Sequence, residues 1–196
     1  MTQPKNLTQT NIVRFLADIF ERRGGEEYLG EPVTMAEHML QGATLAEEAG
    51  LPEEVIVATL LHDIGHFTSE FGSFTMDDTE DRFHEEAGAR VLEQFFPDIV
   101  TDCVRHHVAA KRYLCATKPD YFARLSEASV HSLSLQGGPM SKDEVQAFEA
   151  NPNLAEIVQV RHLDDAGKRD DMQTPGFEHF APLVQRVVDR HLARDA

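Results

Sequence analysis

Apolar positions recur along this chain at spacings of three and four residues, the period of an amphipathic helix, while alternating runs of Val, Ile and Thr bounded by turn residues are nearly absent. The pattern predicts an all-α fold. Ile12, Phe15, Leu16, Ile19 and Phe20 form the face of a first helix, which Gly24-Gly25 can end with a left-handed cap. Thr34-Met35-Ala36-Glu37 fits a capping box, in which a hydroxyl and a carboxylate satisfy orphan amides, and a second helix is expected from there to about Gly50. Pro52 opens a third through Ile56, Leu60 and Leu61, which Gly65 should close just after His62 and Asp63. The stretch from Phe67 to Asp81 is rich in Ser, Thr, Gly and Asp and reads as a loop long enough to act as a lid. Helices follow over about Thr79–Phe96, carrying His84, and from Pro97, carrying His106 and His107. Pro119 is expected to open a helix through Ser129. Ser141-Lys142-Asp143-Glu144 is a second capping box, Asn151-Pro152 a cap followed by Pro at the first helical position, and the last helix runs roughly from Phe177 to Leu192.

Composition narrows the setting. A chain of 196 residues with 41% hydrophobic residues can bury one sizeable core, and no Pro/Ser/Gly-rich linker divides it, so residues 1–196 are expected to form a single domain. With 34 acidic against 18 basic residues the net charge is -16, a field that repels nucleic acid and anionic membranes. Met1 to Asn6 lacks an apolar signal region and the longest apolar run, near Val55–Leu61, is far too short to span a bilayer, so the expected location is the cytoplasm. Cys103 and Cys115 form no C-x-x-C pair and are expected to be thiols rather than a disulfide or a zinc knuckle.

The chemistry concentrates at Leu60-Leu61-His62-Asp63-Ile64-Gly65-His66, where a histidine and an aspartate stand side by side at a helix end. Neighbours on a helix are about 100° apart, so the two can touch one metal cluster only from different angles, for example with the carboxylate bridging two ions. Neutral imidazole and carboxylate suit iron, manganese or zinc. Further candidates are His38, His84, His107 and Asp164, each on an inferred helix or its edge. His107 is preferred to His106 because it continues the stripe of Ile99/Val100, Cys103/Val104 and Val108, and Asp164 to Asp165 because it shares a face with Val160 and Ile157. His131, His162, His179 and His191 are left as ordinary core or surface residues. A zincin reading of His62 and His66 fails: the general-base position holds Asp rather than Glu, and Gly65 would break the helix that must present both histidines.

The ordered set His38, His62-Asp63, His84, His107 and Asp164 resembles the HD-domain superfamily, in the branch that binds two metal ions, across nearly the whole chain. More narrowly, Tyr28-Leu29-Gly30-Glu31, the run from His107 to Leu114, Ser129 with Gln136-Gly137-Gly138-Pro139-Met140, and Arg161-His162-Leu163-Asp164-Asp165 resemble the mixed-valence diiron oxygenases that cleave hydroxyphosphonates. The resemblance implies a single HD-domain helical bundle holding an Fe(II)/Fe(III) pair, with O2 as co-substrate. Asp63 would bridge the ions, and His38, His62, His84, His107 and Asp164 would complete their ligands. Lys111 and Arg161 would clamp a phosphonate, each one helical turn from a ligand, with His66, Ser129 and Gln136 contacting the same headgroup. Tyr28 would guard the vacant iron site, and Glu31 would meet the substrate's ammonium and draw Tyr28 away on binding.

The implied reaction is O2-dependent cleavage of the carbon–phosphorus bond of a small zwitterionic 1-hydroxy-2-ammonioethylphosphonate, giving glycine or, from the trimethylated compound, glycine betaine, plus phosphate. Acidic and aromatic residues around Tyr28 favour the trimethylated substrate, since a quaternary ammonium is attracted to an aromatic face. Two alternatives remain open here: an HD-domain phosphohydrolase acting on a nucleotide or phosphate ester through metal-bound hydroxide, and a non-catalytic HD-like binding module.

Overall fold

A computed structural model describes residues 7–28, 30–68, 81 and 83–194. The all-α expectation holds: helices account for the regular structure and no strand forms among the described residues. The helices are α1 (Ile12–Arg23), α2 (Met35–Glu48), α3 (Glu53–Leu61), α4 (Gly65–Thr68), α5 (His84–Leu92), α6 (Asp98–Thr117), α7 (Glu127–Leu135), α8 (Lys142–Phe148), α9 (Leu154–Ala166) and α10 (Phe177–Arg194).

α3 is the axis of the bundle. Every residue from Val55 to Leu61 is buried, and a helix apolar on all sides is stable only when surrounded. Its neighbours are α2, α6, α9 and α10, with α5 laid against α6 and α1 against α10. The end of α3 therefore opens into the middle of the protein, where α2, α6 and α9 also converge. Burying a polar sequence there costs several kcal/mol unless it is compensated, so His62 and Asp63 mark a built site.

Both capping boxes form as the sequence predicts. The Thr34 and Ser141 hydroxyls accept from the amides of Glu37 and Glu144, whose carboxylates accept in return from the cap amides. Between α1 and α2 the chain makes a tight turn: the Glu31 amide donates to the Tyr28 carbonyl at 2.7 Å, with Gly30 in the left-handed region at φ 75°. Cys103 is buried and both cysteines are free thiols.

Several boundaries differ from expectation, each for a local reason. Gly24 is right-handed rather than a left-handed cap; a Cβ there would lie 2.3 Å from the Phe20 carbonyl oxygen and 2.6 Å from the Ala36 Cβ, so it is the close approach of α2 that requires glycine. Gly65 does not close α3, which ends at Leu61; it begins α4, and the helix carries on through Phe67 into Thr68. α5 starts at His84, with Phe83 as a left-handed N-cap, and stops at Leu92; Thr79 and most of the expected lid lie outside the described residues. Pro119 opens only turns and a 3-10 segment (Phe122–Arg124), because Ser126 caps a new helix by accepting from the Ser129 amide at 3.2 Å. α9 begins at Leu154 rather than at Pro152, since Asn151 Oδ1 takes the Asn153 amide at 2.8 Å and holds a turn there.

Gly65 matters most for the site. A Cβ on it would fall 1.7 Å from the His84 carbonyl oxygen and 2.8 Å from the Gly88 nitrogen. Its missing side chain lets α5 lie directly on α4, which brings His84 beside Asp63. Gly65→Ala is therefore expected to lower stability by about 1–3 kcal/mol, the usual cost of overpacking, whereas Gly25→Ala, where a Cβ meets nothing within 4 Å, should change it by less than about 0.5 kcal/mol. Urea denaturation of the two variants checks this, and equal stabilities would disprove the close-packing role.

Candidate active site

The six candidate ligands arrive on five helix segments. His38 stands on α2, one turn after the Thr34 cap; His62 and Asp63 follow the last turn of α3; His84 is the first residue of α5; His107 lies on the buried stripe of α6 and Asp164 on that of α9. Of these, His38, His62, Asp63, His107 and Asp164 are buried. His106, by contrast, packs edge-on to Phe148 away from the centre, and Asp165 turns to Tyr121 and Arg161.

Three of the imidazoles share one orientation rule. Nδ1 of His38, His62 and His107 lies 2.8, 2.8 and 2.7 Å from the carbonyl oxygens of Gly167, Thr59 and Val104. A ring that donates from Nδ1 presents the Nε2 lone pair on its other side, the arrangement of a metal-ligating histidine. Those Nε2 atoms point at one another: His38 and His62 are 3.0 Å apart, His84 and His107 3.1 Å.

Asp63 divides its two oxygens between these pairs. Oδ2 lies 3.5 Å from His38 Nε2 and 3.4 Å from His62 Nε2, while Oδ1 lies 3.2 Å from His84 Nε2 and 3.3 Å from His107 Nε2. Two groups that could each hold a metal ion result, His38/His62/Asp63 and Asp63/His84/His107, with the carboxylate common to both. Asp164 Oδ1 joins the first at 3.5 Å from His38 Nε2. Donor atoms each ~2.1 Å from one ion would be separated by roughly 3.0–3.4 Å, so the spacing fits. The unsatisfied atoms fit as well: Asp63 Oδ2 and Asp164 Oδ1 are buried and accept no hydrogen bond among the described residues, a cost that a bound cation removes. With only nitrogen and oxygen donors, the set suits iron, manganese or zinc.

The electrostatics of the side chains alone agree. Burial would raise Asp63, yet the imidazoles around it, His62 foremost, hold it well below the usual carboxylate range. Burial also opposes a charge on His62, but Asp63 beside it lifts that imidazole to about 9. The carboxylates thus demand positive charge at close range, and a proton is the poorest form of it.

Beside the ligands lies a pocket lined by Tyr28, Glu31, His66, Lys111, Ser129, Ser132, Gln136, Arg161 and Lys168. All six residues expected to touch substrate border it, as does Tyr28. The Tyr28 ring stacks on His38 with centroids 4.0 Å apart; burial first, then Asp63 and Asp164, raises its phenol well above the ordinary value and keeps it protonated. His66 stacks on His84 at 4.0 Å, and burial together with His84 holds it neutral, well below its ordinary value. Lys111 donates to Ser132 at 2.7 Å, and burial, with Arg161 nearby, brings its ammonium down to about 7.

Arg161 also has a role that spacing did not show. Its Nη1 donates to Asp164 at 2.7 Å, its Nε to the Tyr121 hydroxyl at 3.0 Å, and its Nη2 to Asp165. It holds the candidate ligand Asp164 as well as bordering the pocket. Sequence reasoning missed Lys168, Ser132, Ser126 and Tyr121. Only Lys168 carried a usable signal, since it follows Asp164 by one helical turn; Tyr121 meets Asp165 across 44 residues and has none.

Residues 35–160 match the HD domain family model. The chain is 72% identical over 194 residues, 98% of its length and 99% of the relative's, to [1-hydroxy-2-(trimethylamino)ethyl]phosphonate dioxygenase (glycine-betaine-forming) of Leisingera caerulea. It is 40% identical over 84% of its length, and 83% of the relative's, to hydroxymethylphosphonate dioxygenase of Gimesia maris. An uncharacterised protein of Acanthamoeba polyphaga mimivirus is 36% identical over 88% of this chain and 80% of that one. The matched span includes His38, His62, Asp63, His84 and His107, and the chain belongs to the HD-domain family, alongside these phosphonate dioxygenases.

Proposed function

We propose that this protein cleaves [1-hydroxy-2-(trimethylamino)ethyl]phosphonate with O2 to glycine betaine and phosphate, at a diiron centre cycling through an Fe(II)/Fe(III) state. The observation that carries the reading is the pairing of two groups that could each hold a metal ion and share Asp63 with a pocket lined by Lys111, Arg161 and Lys168 together with Glu31 and Tyr28. The near-full-length likeness to the Leisingera caerulea enzyme supports it and favours the trimethylated substrate over the primary amine.

Bound iron supplies the one-electron and oxygen chemistry that side chains lack. His38, His62, Asp63 and Asp164 would hold one ion, and Asp63, His84 and His107 the other. The balance of the reaction is fixed: C1 loses its hydrogen and its bond to phosphorus, O2 is reduced by four electrons, and its atoms make up the new carboxylate and phosphate oxygens.

The protein's own groups orient the substrate. Lys111 and Arg161 border the pocket where the phosphonate dianion would sit, and Lys111 can give it a proton or a charge-assisted hydrogen bond. Ser129, Gln136 and neutral His66 are within the same lining. The quaternary ammonium would go to the opposite wall, where Glu31 offers charge and Tyr28 a ring face. Because the Glu31 amide is bonded to the Tyr28 carbonyl through the Gly30 turn, a substrate that draws Glu31 moves Tyr28 with it. Tyr28 lies over His38, so this movement would uncover that side of the centre only when substrate is present, an induced-fit control.

Two outcomes are expected. Purified iron-loaded protein should release phosphate and glycine betaine from the trimethylated substrate in air, with kcat/KM about tenfold above that for the primary amine, a cation-π difference of about 1.4 kcal/mol. Equal phosphate release under strict anaerobiosis would overturn the oxygenase reading in favour of a phosphohydrolase. In the metal analysis, His107→Ala should retain about one iron per chain of two, whereas Asp63→Ala, which takes a ligand from both groups, should retain less than one. Full iron content in Asp63→Ala would exclude it as the bridge.

A further inference from the structure

Glu31 is already occupied. Its Oε1 accepts from the Lys168 ammonium at 3.1 Å and from the Ser126 hydroxyl at 2.5 Å. Lys168 Nζ also donates to Ser129 at 3.0 Å and lies 5.5 Å from the centroid of the Tyr28 ring. A carboxylate, a hydroxyl and an aromatic face around one ammonium are the parts of a site for an organic cation. Both charged side chains are largely out of solvent, 12% and 9% exposed, so the pair is not a screened surface contact.

We propose that Lys168 is a tethered stand-in for the cationic end of the ligand: its ammonium holds the seat between Glu31, Ser129 and the Tyr28 face, and an incoming organic cation must displace it. The seat as a substrate site rests on the proposed reaction; its occupation by Lys168 rests on the geometry alone.

Three observations favour displacement over co-binding. The free space in the pocket is about 30 Å³, room for about two waters, so nothing as large as a hydroxyphosphonate enters without a side chain leaving. The other two cations of the lining are engaged elsewhere, Lys111 with Ser132 and Arg161 with Asp164, Asp165 and Tyr121, and neither touches Glu31. Lys168 also lies just beyond the end of α9, past Gly167, on a flexible four-carbon stem that can swing without moving the helix.

Displacement shapes selectivity. A ligand with a cationic end replaces the ion pair it breaks, whereas one without leaves Lys168 in place or strands Glu31 without a partner, which is costly when half-buried. The ligand's apparent affinity is reduced by the fraction of protein in which the seat is taken. Removing Lys168 should therefore tighten binding of a simple organic cation rather than weaken it.

Tetramethylammonium, titrated calorimetrically into the iron-loaded full chain at constant ionic strength, tests this without turnover. Lys168→Met is expected to bind it about three- to tenfold tighter than the wild type, Lys168→Arg about as the wild type, and Lys168→Met combined with Glu31→Gln should lose the gain. Lys168→Gln repeats the measurement if the Met variant melts at a lower temperature. Unchanged or weaker tetramethylammonium binding in the single variants, or a gain that survives Glu31→Gln, overturns the proposal. So does a loss of affinity for inorganic phosphate in Lys168→Met with no change for tetramethylammonium, which would make Lys168 an anion clamp. Absence of dioxygenase turnover would remove the proposed reaction and leave these binding constants standing, so the two readings fail separately.

Discussion

The structure is organised around one buried carboxylate. Asp63 sits at the inner end of the most buried helix, with an imidazole on either side of each oxygen and, among the described residues, no hydrogen bond to Oδ2. An anion in that position is tolerable only with positive charge in contact. Arg161 donates to one oxygen of Asp164, Oδ2, and does not reach Asp63 among its hydrogen bonds. What remains to neutralise Asp63 is a proton on His62 or metal cations, and the Nδ1 anchoring of His38, His62 and His107 prepares their Nε2 atoms for the latter. The five helix segments that deliver these groups meet at this one carboxylate, so a cation bound there would couple to folding.

The choice between neighbouring candidates was legible because helical period is local. His107 and Asp164 were separable from His106 and Asp165 by helical period alone, and the geometry puts the preferred member of each pair at the centre. The errors came from contacts that period does not encode. Gly65 reads as a helix stop and Gly24 as a left-handed cap; Gly24 does end α1, but in the right-handed region, and each is glycine because another helix lies against it. Pro119 looked like a helix start, but Ser126 competes for the role with a side-chain cap a few residues on. Lys168 joins Glu31 across 137 residues, and Ser126 joins it across 95; no single-sequence pattern joins segments that far apart. The roles of Tyr28 and Glu31 came from family likeness, not from spacing.

The global and local fields have opposite signs. A net charge of -16 repels a phosphonate, yet screening limits that repulsion to about 8–10 Å at ordinary ionic strength, and the pocket itself is lined by Lys111, Arg161 and Lys168. Each is matched to its own acceptor, so the pocket is not a bare basic patch that would hold any polyanion. A ligand must offer better partners than those already present, both for the cations and for Glu31. A zwitterion does so at both ends, which is a stricter condition than either charge alone.

α9 links these requirements. Arg161 and Asp164 stand one turn apart on it, and Lys168 follows just past its end, so one helix contributes an anion-facing guanidinium, a ligand and the occupant of the cation seat. Were the three rigidly joined, withdrawing Lys168 would disturb Asp164 and with it the centre. Gly167 separates them. It ends the helix through hydrogen bonds from its amide to Leu163 and Asp164, and its carbonyl is the acceptor that orients His38; a Cβ there would lie 2.8 Å from the His38 carbonyl oxygen. The backbone is thus clamped against α2 immediately before Lys168. Everything up to residue 167 belongs to the fixed ligand frame, and the lysine beyond it is free to exchange partners. That division lets a pocket with almost no free volume admit a ligand without loosening the centre the ligand must reach.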